Sequence, residues 1–201
     1  LVERDALARA GATGQIAGGL PRIDPDSVHD SQARRLIRLL DEAHVLHAVW
    51  RLPACVDLPV FLCHVMDATE LGDDARGWAH GSGCHPDPVV AWLRALTEAL
   101  QARLTHVSGA RDDTGWDRYA PLDPDRVQRQ RRILREGRDL LPLPAAGALG
   151  PHDSLADDVA AVLGALRRAG MGPVRAVDLP AGPAPVAVVK LMAPALREPV
   201  H

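Results

Sequence analysis

The chain has 201 residues, of which 47% are hydrophobic and 24% are charged. This composition provides enough apolar side chains for a folded core and is unlike that of a disordered or fibrous chain. The formal net charge is only −3, so the overall charge balance gives no sign of a polyanionic partner. The length suits one large domain or two small ones.

Cysteine content and apolar patterning favour a cytoplasmic protein. Cys55, Cys63 and Cys84 are too few, and odd in number, for a disulfide scaffold, which indicates a reducing compartment. The apolar stretch at 185–196 is interrupted by Lys190 and is shorter than the ~20 residues of a membrane-spanning helix. We therefore predict a cytoplasmic location and no membrane segment.

The use of basic residues and the start of the chain are both unusual. Of the 23 basic residues, 22 are Arg and one is Lys190, so an Arg-rich segment carries little weight by itself. The chain opens directly on an amphipathic helical pattern, with neither an initiator Met nor a cap before it. We expect it to be the C-terminal part of a longer protein.

The first two predicted elements are helices. Residues 1–10 are predicted to be helical and to end at the glycine-containing segment 11–14, since glycine is permissive at a helix exit. After a loop rich in Gly and Pro, Asp26 or Ser27 can cap a second helix that ends near Ala43.

Two short β-rich runs follow, at 45–50 and 59–66, and we predict both to be strands. Their nearly continuous apolar character predicts that helices cover both faces of the sheet. Residues 67–88 are predicted to be loop. The glycines at 81 and 83 in this loop precede a helix start, where converging amides can form an anion cradle.

The clearest predicted element is a helix from Pro88 to about His106, capped by Asp87. Its apolar arc consists of Val89, Trp92, Leu93, Leu96, Leu100 and Leu104. Arg103 projects into this arc and needs an anion or a route to water, because a buried unpaired charge costs on the order of several kcal/mol. Two interpretations remain open: a snorkelling or ion-paired structural Arg, or an Arg that contacts phosphate oxygens. Glu98 and Gln101 lie on the opposite stripe.

The rest of the chain predicts a basic helix at 124–138 and an irregular strip at 140–151. A helix at 155–169, capped by Ser154, then leads to strands at 174–179 and 186–192. The basic helix has only Tyr119 nearby and no interleaved stacking aromatics, so we predict a solvated or interface helix and no nucleic-acid partner. The Cys-His pairs at 63–64 and 84–85 lack the paired spacing of a zinc site, and Cys63 is expected in the core. The alternation of helices and strands predicts a mixed α/β fold.

Several segments together resemble the YcaO family. They are LVERDA at 1–6, DLPVF at 57–61, GSGCHPDP at 81–88, ALTEALQAR at 95–103, SGARDD at 108–113 and VAVVKLMAP at 186–194. Their order and spacing fit the C-terminal half of a YcaO protein from Leu1 to about Leu196, except for the basic and Leu/Pro-rich middle. The resemblance implies an α/β fold divided into a nucleotide-site half (1–120), a basic helix and linker (121–151) and a helix-strand-strand unit (152–201).

The family likeness implies an ATP-dependent enzyme, with ATP and Mg²⁺ as cofactors, that modifies backbone amides of ribosomally made peptides. In that family a nucleophile adds to the amide carbon and the oxygen is then phosphorylated, which converts a poor leaving group into a good one. A Cys, Ser or Thr side chain as nucleophile gives an azoline, whereas external sulfide gives a thioamide. The sequence leaves open the peptide, the nucleophile and whether a homodimer forms.

The same resemblance implies roles for five residues. Glu3 matches the family's last Mg²⁺-ligating Glu, and Arg4 matches the adjacent Arg of the nucleotide site. Glu98, Gln101 and Arg103 match the third motif, in which we expect Arg103 to contact phosphate. The resemblance identifies no catalytic residue. Read without the family, Glu3-Arg4 is an ordinary helix-end ion pair.

Departures from the family pattern qualify these expectations. The first nucleotide motif and most of the second would precede Leu1, so we expect no measurable ATP turnover from the 201 residues alone. The tail at 193–201 lacks the alternating prolines of azoline formers, which favours the thioamide-forming branch with a TfuA-like partner protein. The alternative is a non-catalytic YcaO-like fragment or docking protein that presents a peptide to another enzyme.

Overall fold

A computed structural model describes residues 1–12, 19–68, 78–109, 123–137, 140–145, 149–179 and 186–197. In chain order its elements are α1 (Val2–Ala12), β1 (Arg22–Ile23), α2 (Ser31–Glu42), β2 (Val45–Arg51), β3 (Val60–Asp67), β4 (Ala79–Cys84), α3 (Pro88–Ser108), α4 (Pro124–Arg135), β5 (Leu140–Leu141), α5 (Leu155–Arg168), β6 (Arg175–Leu179) and β7 (Val188–Met192). Among the described helices, none has the length and apolar character needed to cross a membrane.

The larger sheet has the order β4-β3-β2-β1-β5. β1 to β4 pair antiparallel with their neighbours, whereas β5 pairs parallel with β1. β6 and β7 form a separate antiparallel ribbon. The mixed α/β class predicted from the sequence is confirmed.

Helices cover both faces of this sheet, as predicted from its apolar strands. One face packs against α2 and α3 through residues such as Ile37, Phe61 and Trp92. The other packs against α4 through a smaller cluster that includes Trp50 and Leu134. Seven of the eight β3 residues are buried, because side chains that alternate between the faces of a strand meet a helix on either side.

The prediction of a loop over 67–88 is wrong for residues 79–84, which form the edge strand β4. Residues 69–77 of that predicted loop lie outside the described residues. The strand β4 has none of the β-branched or aromatic residues that mark strands in sequence. Its glycines serve close packing instead. A Cβ on Gly81 would lie 2.6 Å from the carbonyl oxygen of Ala95, and one on Gly83 would lie 2.7 Å from the Ala95 nitrogen. The proposed anion cradle is therefore also wrong: these glycines are strand residues covered by α3.

Because of the same close packing, α3 buries a different face from the one predicted. α3 buries Pro88, Ala91, Trp92, Ala95, Leu96 and Ala99, whereas Leu104 is 66% exposed. Small side chains occupy the contact because β4 approaches so closely that larger ones would not fit. The predicted cap is confirmed: the Asp87 carboxylate accepts a hydrogen bond from the Val89 amide at 2.8 Å.

Three other predictions need correction. α2 is capped by Asp30, while residues 25–27 form a separate short 3₁₀ turn capped by Asp24. The segments 19–25 and 140–151, predicted to be irregular, contribute the short strands β1 and β5.

The third correction concerns α4, which is not a solvated helix, since it ends at Arg135 and buries Val127, Gln130, Arg131 and Leu134. The guanidinium of Arg22 donates to the carbonyl oxygens of Leu134 and Glu136, each at 2.9 Å, and so caps the end of α4.

A second core joins α1, α5 and the C-terminal segment to the sheet. It includes Val2, Ala6, Leu62, Leu166 and Leu196. Ser154 caps α5 as predicted, and the ribbon strands begin one or two residues later than predicted. This core holds the start of α1 beside β4 and β7.

The contact of Gly81 with α3 predicts the outcome of a substitution. Gly81→Ala is expected to lower the free energy of unfolding by about 1–3 kcal/mol, because the added methyl group meets backbone atoms that cannot move independently. Gly164→Ala is the control: there a Cβ meets only the flexible end of Arg168, and Ala stabilises a helix interior by ~1 kcal/mol relative to Gly. Urea unfolding measures both; equal stability of Gly81→Ala and the unsubstituted chain would contradict the prediction.

Buried His64 predicts a loss of stability in acid. Its Nδ1 accepts a hydrogen bond from Gln130 at 2.8 Å, and burial, together with the charge of nearby His80, lowers the pKa of His64 to about 4. The unfolded chain, with a pKa near 6.5, therefore binds more protons between these values, and stability falls as the pH drops from about 6.5 towards 4.

The expected loss from His64 is about 2 kcal/mol between pH 7 and pH 5, measured by urea unfolding at each pH. His64→Gln should flatten this pH dependence, while the exposed control His29→Gln should leave it unchanged. An unchanged slope in His64→Gln would show that other groups cause the acid sensitivity.

Candidate functional site

Glu3 is held in place by a strand residue that lies far from it in sequence. The Ser82 hydroxyl donates a hydrogen bond to the Glu3 Oε1 at 2.5 Å. Ser82 is buried in β4 between the two glycines that contact α3. Since neighbouring strand residues point to opposite faces, packing of Gly81 and Gly83 on α3 turns Ser82 towards α1. This contact fixes one carboxylate in the first turn of α1.

Glu3 lines an open cleft of about 440 Å³ between α1, α3 and α5. We call it the carboxylate cleft. Its polar lining residues are Glu3, Cys84, His85, Arg94 and Asp158. Apolar side chains of α5, with Leu58, Val174 and Leu191, form much of the rest of the wall. The cleft thus places one cation, Arg94, on the same surface as the Glu3 carboxylate.

The carboxylate cleft also contains a thiol and an imidazole. Burial, with the nearby Glu3 charge, raises the pKa of Cys84 to about 11, so the thiol stays protonated at neutral pH and is a poor nucleophile. The Nδ1 of His85 accepts a hydrogen bond from the Asp87 amide at 3.0 Å. The neutral ring therefore carries its proton on Nε2.

Arg4, the residue that follows Glu3 in the chain, lines a different cleft. This second cleft, of about 360 Å³, is lined by residues of α1, β7 and the turn after β7. Its charged lining residues are Arg4, Lys190 and Arg197, and among the described residues no acidic residue lines it. We call it the cationic cleft. It adjoins the carboxylate cleft, since Leu1 and Leu191 line both.

Asp5 ties the C-terminal turn to α1. Its fully buried carboxylate accepts hydrogen bonds from the Arg9 side chain at 2.6 Å and from the Arg197 backbone amide at 2.8 Å. Burial alone would raise the pKa of Asp5, but these hydrogen bonds and the Arg9 charge outweigh it, and the pKa is lowered. Asp5 therefore remains ionised and anchors the backbone of Arg197 beside the turn that carries Arg4.

The three residues of the predicted third motif lie on α3, outside both clefts as lined in the described structure. Glu98 and Gln101 are exposed on its solvent-facing stripe. Arg103 is half-buried, and its guanidinium forms an ion pair and hydrogen bond with Asp67 at the end of β3. Of the two interpretations that the sequence left open, this contact favours a structural Arg.

The sheet register separates Arg103 from Glu3. Ser82, which holds Glu3, pairs with Leu62, and Asp67 is five residues further along β3, about 17 Å at the usual ~3.4 Å per residue. The structure thus brings Glu3 and Arg4 together at adjoining clefts but not Arg103. Its predicted contact with phosphate stays a prediction.

The donor set around Glu3 fits part of a magnesium site. The described residues contain no group of three His, Cys, Asp or Glu side chains placed to hold a metal ion. Mg²⁺, however, commonly takes one or two carboxylates and fills its other positions with water and phosphate oxygens. Glu3 supplies one such carboxylate, with the Ser82 hydroxyl beside it.

Comparison with known proteins identifies the family. The family described as YcaO cyclodehydratase, ATP and Mg²⁺-binding, matches residues 1–197. The chain therefore belongs to the YcaO family, whose cofactors are ATP and Mg²⁺. An uncharacterized protein in the tfuA 3′ region of Rhizobium leguminosarum bv. trifolii is 33% identical over 202 residues, covering 98% of this chain and 47% of that protein.

Solved structures with the same fold include the YcaO protein of Methanopyrus kandleri bound with AMPPCP and Mg²⁺. It is 25% identical, with a TM-score of 0.63, and the match covers 96% of this chain and 48% of that one. The heterocyclase TruD has a TM-score of 0.71 at 23% identity, with coverage of 98% and 26%, and shows the likeness of fold alone. The chain spans about half the length, or less, of the curated relatives it matches.

The sequence did not single out Ser82 as the partner of Glu3, nor Arg94, Lys190 and Arg197 as residues that line the two clefts. Arg94 lies on the same polar stripe of α3 as Glu98 and Gln101, but nothing local showed that its end of the stripe adjoins Glu3. Lys190 carried a signal that could have been used, because it is the one Lys in a chain that otherwise uses Arg. Ser82 and Arg197 carried none, since both depend on contacts with α1 across long sequence separations.

Proposed function

We propose that the chain forms the C-terminal part of an ATP-dependent enzyme that modifies backbone amides of a ribosomally made peptide. A nucleophile adds to the amide carbon, the former carbonyl oxygen accepts the γ-phosphoryl group of ATP, and the C–O bond then breaks. The products are ADP, inorganic phosphate and the modified amide, so the oxygen leaves as part of phosphate. Bound Mg²⁺ neutralises phosphate charge during the transfer.

The observation that carries this proposal is the placement of Glu3 and Arg4. These consecutive residues open on adjoining clefts, so the first turn of α1 presents a carboxylate on one side and a guanidinium on the other. Carboxylates ligate Mg²⁺ and guanidinium groups bind phosphate oxygens. We assign Glu3 to the metal and Arg4 to the phosphates. Ser82 orients the Glu3 carboxylate by its hydrogen bond.

The branch of the family is also proposed. We favour thioamide formation, in which sulfide sulfur replaces the amide oxygen, with a TfuA-like protein as partner. One observation supports this choice: the relative in the tfuA 3′ region matches 98% of the chain.

Binding of AMPPCP with and without Mg²⁺, measured by calorimetry, tests the nucleotide assignment. We expect Mg²⁺ to strengthen binding and Glu3→Gln to abolish that enhancement, because the amide cannot replace an anionic ligand of a hard cation. The control Glu42→Gln, at the exposed end of α2, should bind as the unsubstituted chain does. An identical Mg²⁺ enhancement in Glu3→Gln would remove Glu3 from the metal site.

Turnover distinguishes the enzymatic proposal from a docking role. The 201 residues alone are expected to release no phosphate from ATP. A longer protein that contains the full set of family motifs, supplied with a TfuA-like partner, sulfide and peptide, should release phosphate as sulfur replaces oxygen in the peptide, which the peptide mass reports. Loss of one water from the peptide would instead identify azoline formation. Peptide binding with neither mass change nor phosphate release would support the docking alternative.

A further substitution decides the role of Arg103. Because Asp67 already pairs with its half-exposed guanidinium, we expect Arg103→Gln to lower the free energy of unfolding by about 0.5–1 kcal/mol and to leave Mg²⁺-AMPPCP affinity unchanged. Asp67→Asn serves as the matched variant, and the double substitution should cost no more than either single one. Weaker nucleotide binding in Arg103→Gln, with Asp67→Asn unaffected, would place Arg103 on phosphate, as the third motif implies.

A further inference from the structure

We propose that Lys190 and Arg197 join Arg4 in the cationic cleft to bind the triphosphate of the nucleotide. This inference rests on the proposed function and extends it, since the family resemblance assigned only Arg4 in this cleft. Three segments that are distant in sequence supply the cations: the first turn of α1, the middle of β7 and the turn after β7.

The charge of the cationic cleft is not neutralised by the described residues. Ion pairs within the described ranges occupy other arginines, namely Arg9, Arg34, Arg51, Arg103 and Arg129. Arg4, Lys190 and Arg197 take part in none of these pairs, and the described lining of their cleft includes no carboxylate. Three like charges around one concavity repel each other unless an anion lies between them. The arrangement therefore favours a ligand with several negative charges.

The identity of residue 190 gives a second, independent argument. Lysine occurs once in this chain, against 22 arginines, and that one lysine lines the cationic cleft. An ammonium group is a compact point charge with three donors, whereas guanidinium is a planar fork. A flexible point charge can follow a phosphate chain whose oxygens do not lie in one plane, which is a physical reason to keep lysine at this position.

Backbone hydrogen bonds fix the segments that carry Lys190 and Arg197. β7 pairs with β6 on both sides of Lys190, which lies opposite Val177. The turn after β7 is closed by a hydrogen bond from the Leu196 amide to the Ala193 carbonyl oxygen at 3.0 Å. The Asp5 carboxylate then binds the Arg197 amide. These bonds fix the backbones that carry Lys190 and Arg197 beside α1, so phosphate binding requires only the side chains to become ordered.

The position of the cationic cleft relative to Glu3 suits a metal-bound triphosphate. Leu1 and Leu191 form part of both clefts, so the two meet at the first turn of α1. A phosphate chain crossing this turn would meet the three cations on one side and the Glu3 carboxylate, through a metal ion, on the other. A direct contact between Glu3 and phosphate would be repulsive, which is why the carboxylate needs the intervening cation.

The test measures the binding of inorganic tripolyphosphate and of Mg²⁺-AMPPCP to the chain by calorimetry at low salt. Lys190→Gln and Arg197→Gln are each expected to weaken binding of both probes on the order of tenfold, the size of one charge-assisted contact. Lys190→Arg keeps the charge but replaces the point charge by a planar fork, so it should bind tripolyphosphate more weakly than the unsubstituted chain and more tightly than Lys190→Gln. The control is Arg175→Gln. Arg175 lies opposite Met192 in the ribbon but does not itself line the cleft, so this variant removes a nearby charge and should bind both probes normally.

The possible outcomes separate this inference from the proposed function. If Lys190→Gln and Arg197→Gln bind both probes normally while Glu3→Gln still loses the Mg²⁺ enhancement, the cationic cleft is not the triphosphate site and the nucleotide proposal stands. If the two variants lose tripolyphosphate binding but Mg²⁺-AMPPCP binding is independent of Glu3, the cationic cleft is an anion site and the nucleotide assignment fails. No binding of tripolyphosphate by the unsubstituted chain would overturn the inference. So would an equal loss in Arg175→Gln, because it would indicate a diffuse charge effect.

Discussion

The close contact between α3 and β4 is the constraint on which the rest of the structure depends. Two glycines in β4 let the backbone of α3 approach so closely that no side chain fits between them. Ser82 lies between the two glycines and faces the other way, because successive side chains of a strand point to opposite faces of the sheet. Its hydroxyl meets Glu3 in α1. Packing on one face of an edge strand thus positions a carboxylate on the opposite face.

The first turn of α1 divides charge between the two clefts. Consecutive helix residues point about 100° apart, so Glu3 and Arg4 cannot face the same ligand atom. This geometry suits a ligand that itself combines a cation with an anion, because a metal ion and a phosphate chain need opposite charges at neighbouring points. Asp5, the next residue, is buried and anchors the C-terminal turn. Glu3, Arg4 and Asp5 are therefore consecutive in sequence but lie at three different places: the two clefts and the C-terminal turn.

Arg103 illustrates how local chemistry and tertiary context can disagree. A charge in an apolar arc needs a partner, and the sequence permitted either a carboxylate or phosphate. The end of β3 supplies Asp67, which satisfies the requirement without a ligand. In an Arg-rich chain, structural pairs of this kind are common, and Arg22, which caps the end of α4, is another example. Lys190 carries more information about a ligand because the composition does not explain it.

The sequence by itself determined the elements whose signals are local: the strands β2 and β3 from their apolar runs, α3 from its Asp-Pro start, α5 from Ser154 and the family from its ordered motifs. It also singled out Glu3 and Arg4, whose roles stay predictions. It missed β4, because glycines that serve close packing look like loop residues. It also misjudged the buried face of α3 and left open whether α4 is solvated or packed. Only the tertiary structure decided that Ser82 and the Arg197 amide bind residues of α1 and that Lys190 lines a cleft beside it. The physical reason is that these contacts follow from sheet register and helix packing, which act between residues that no local sequence pattern connects.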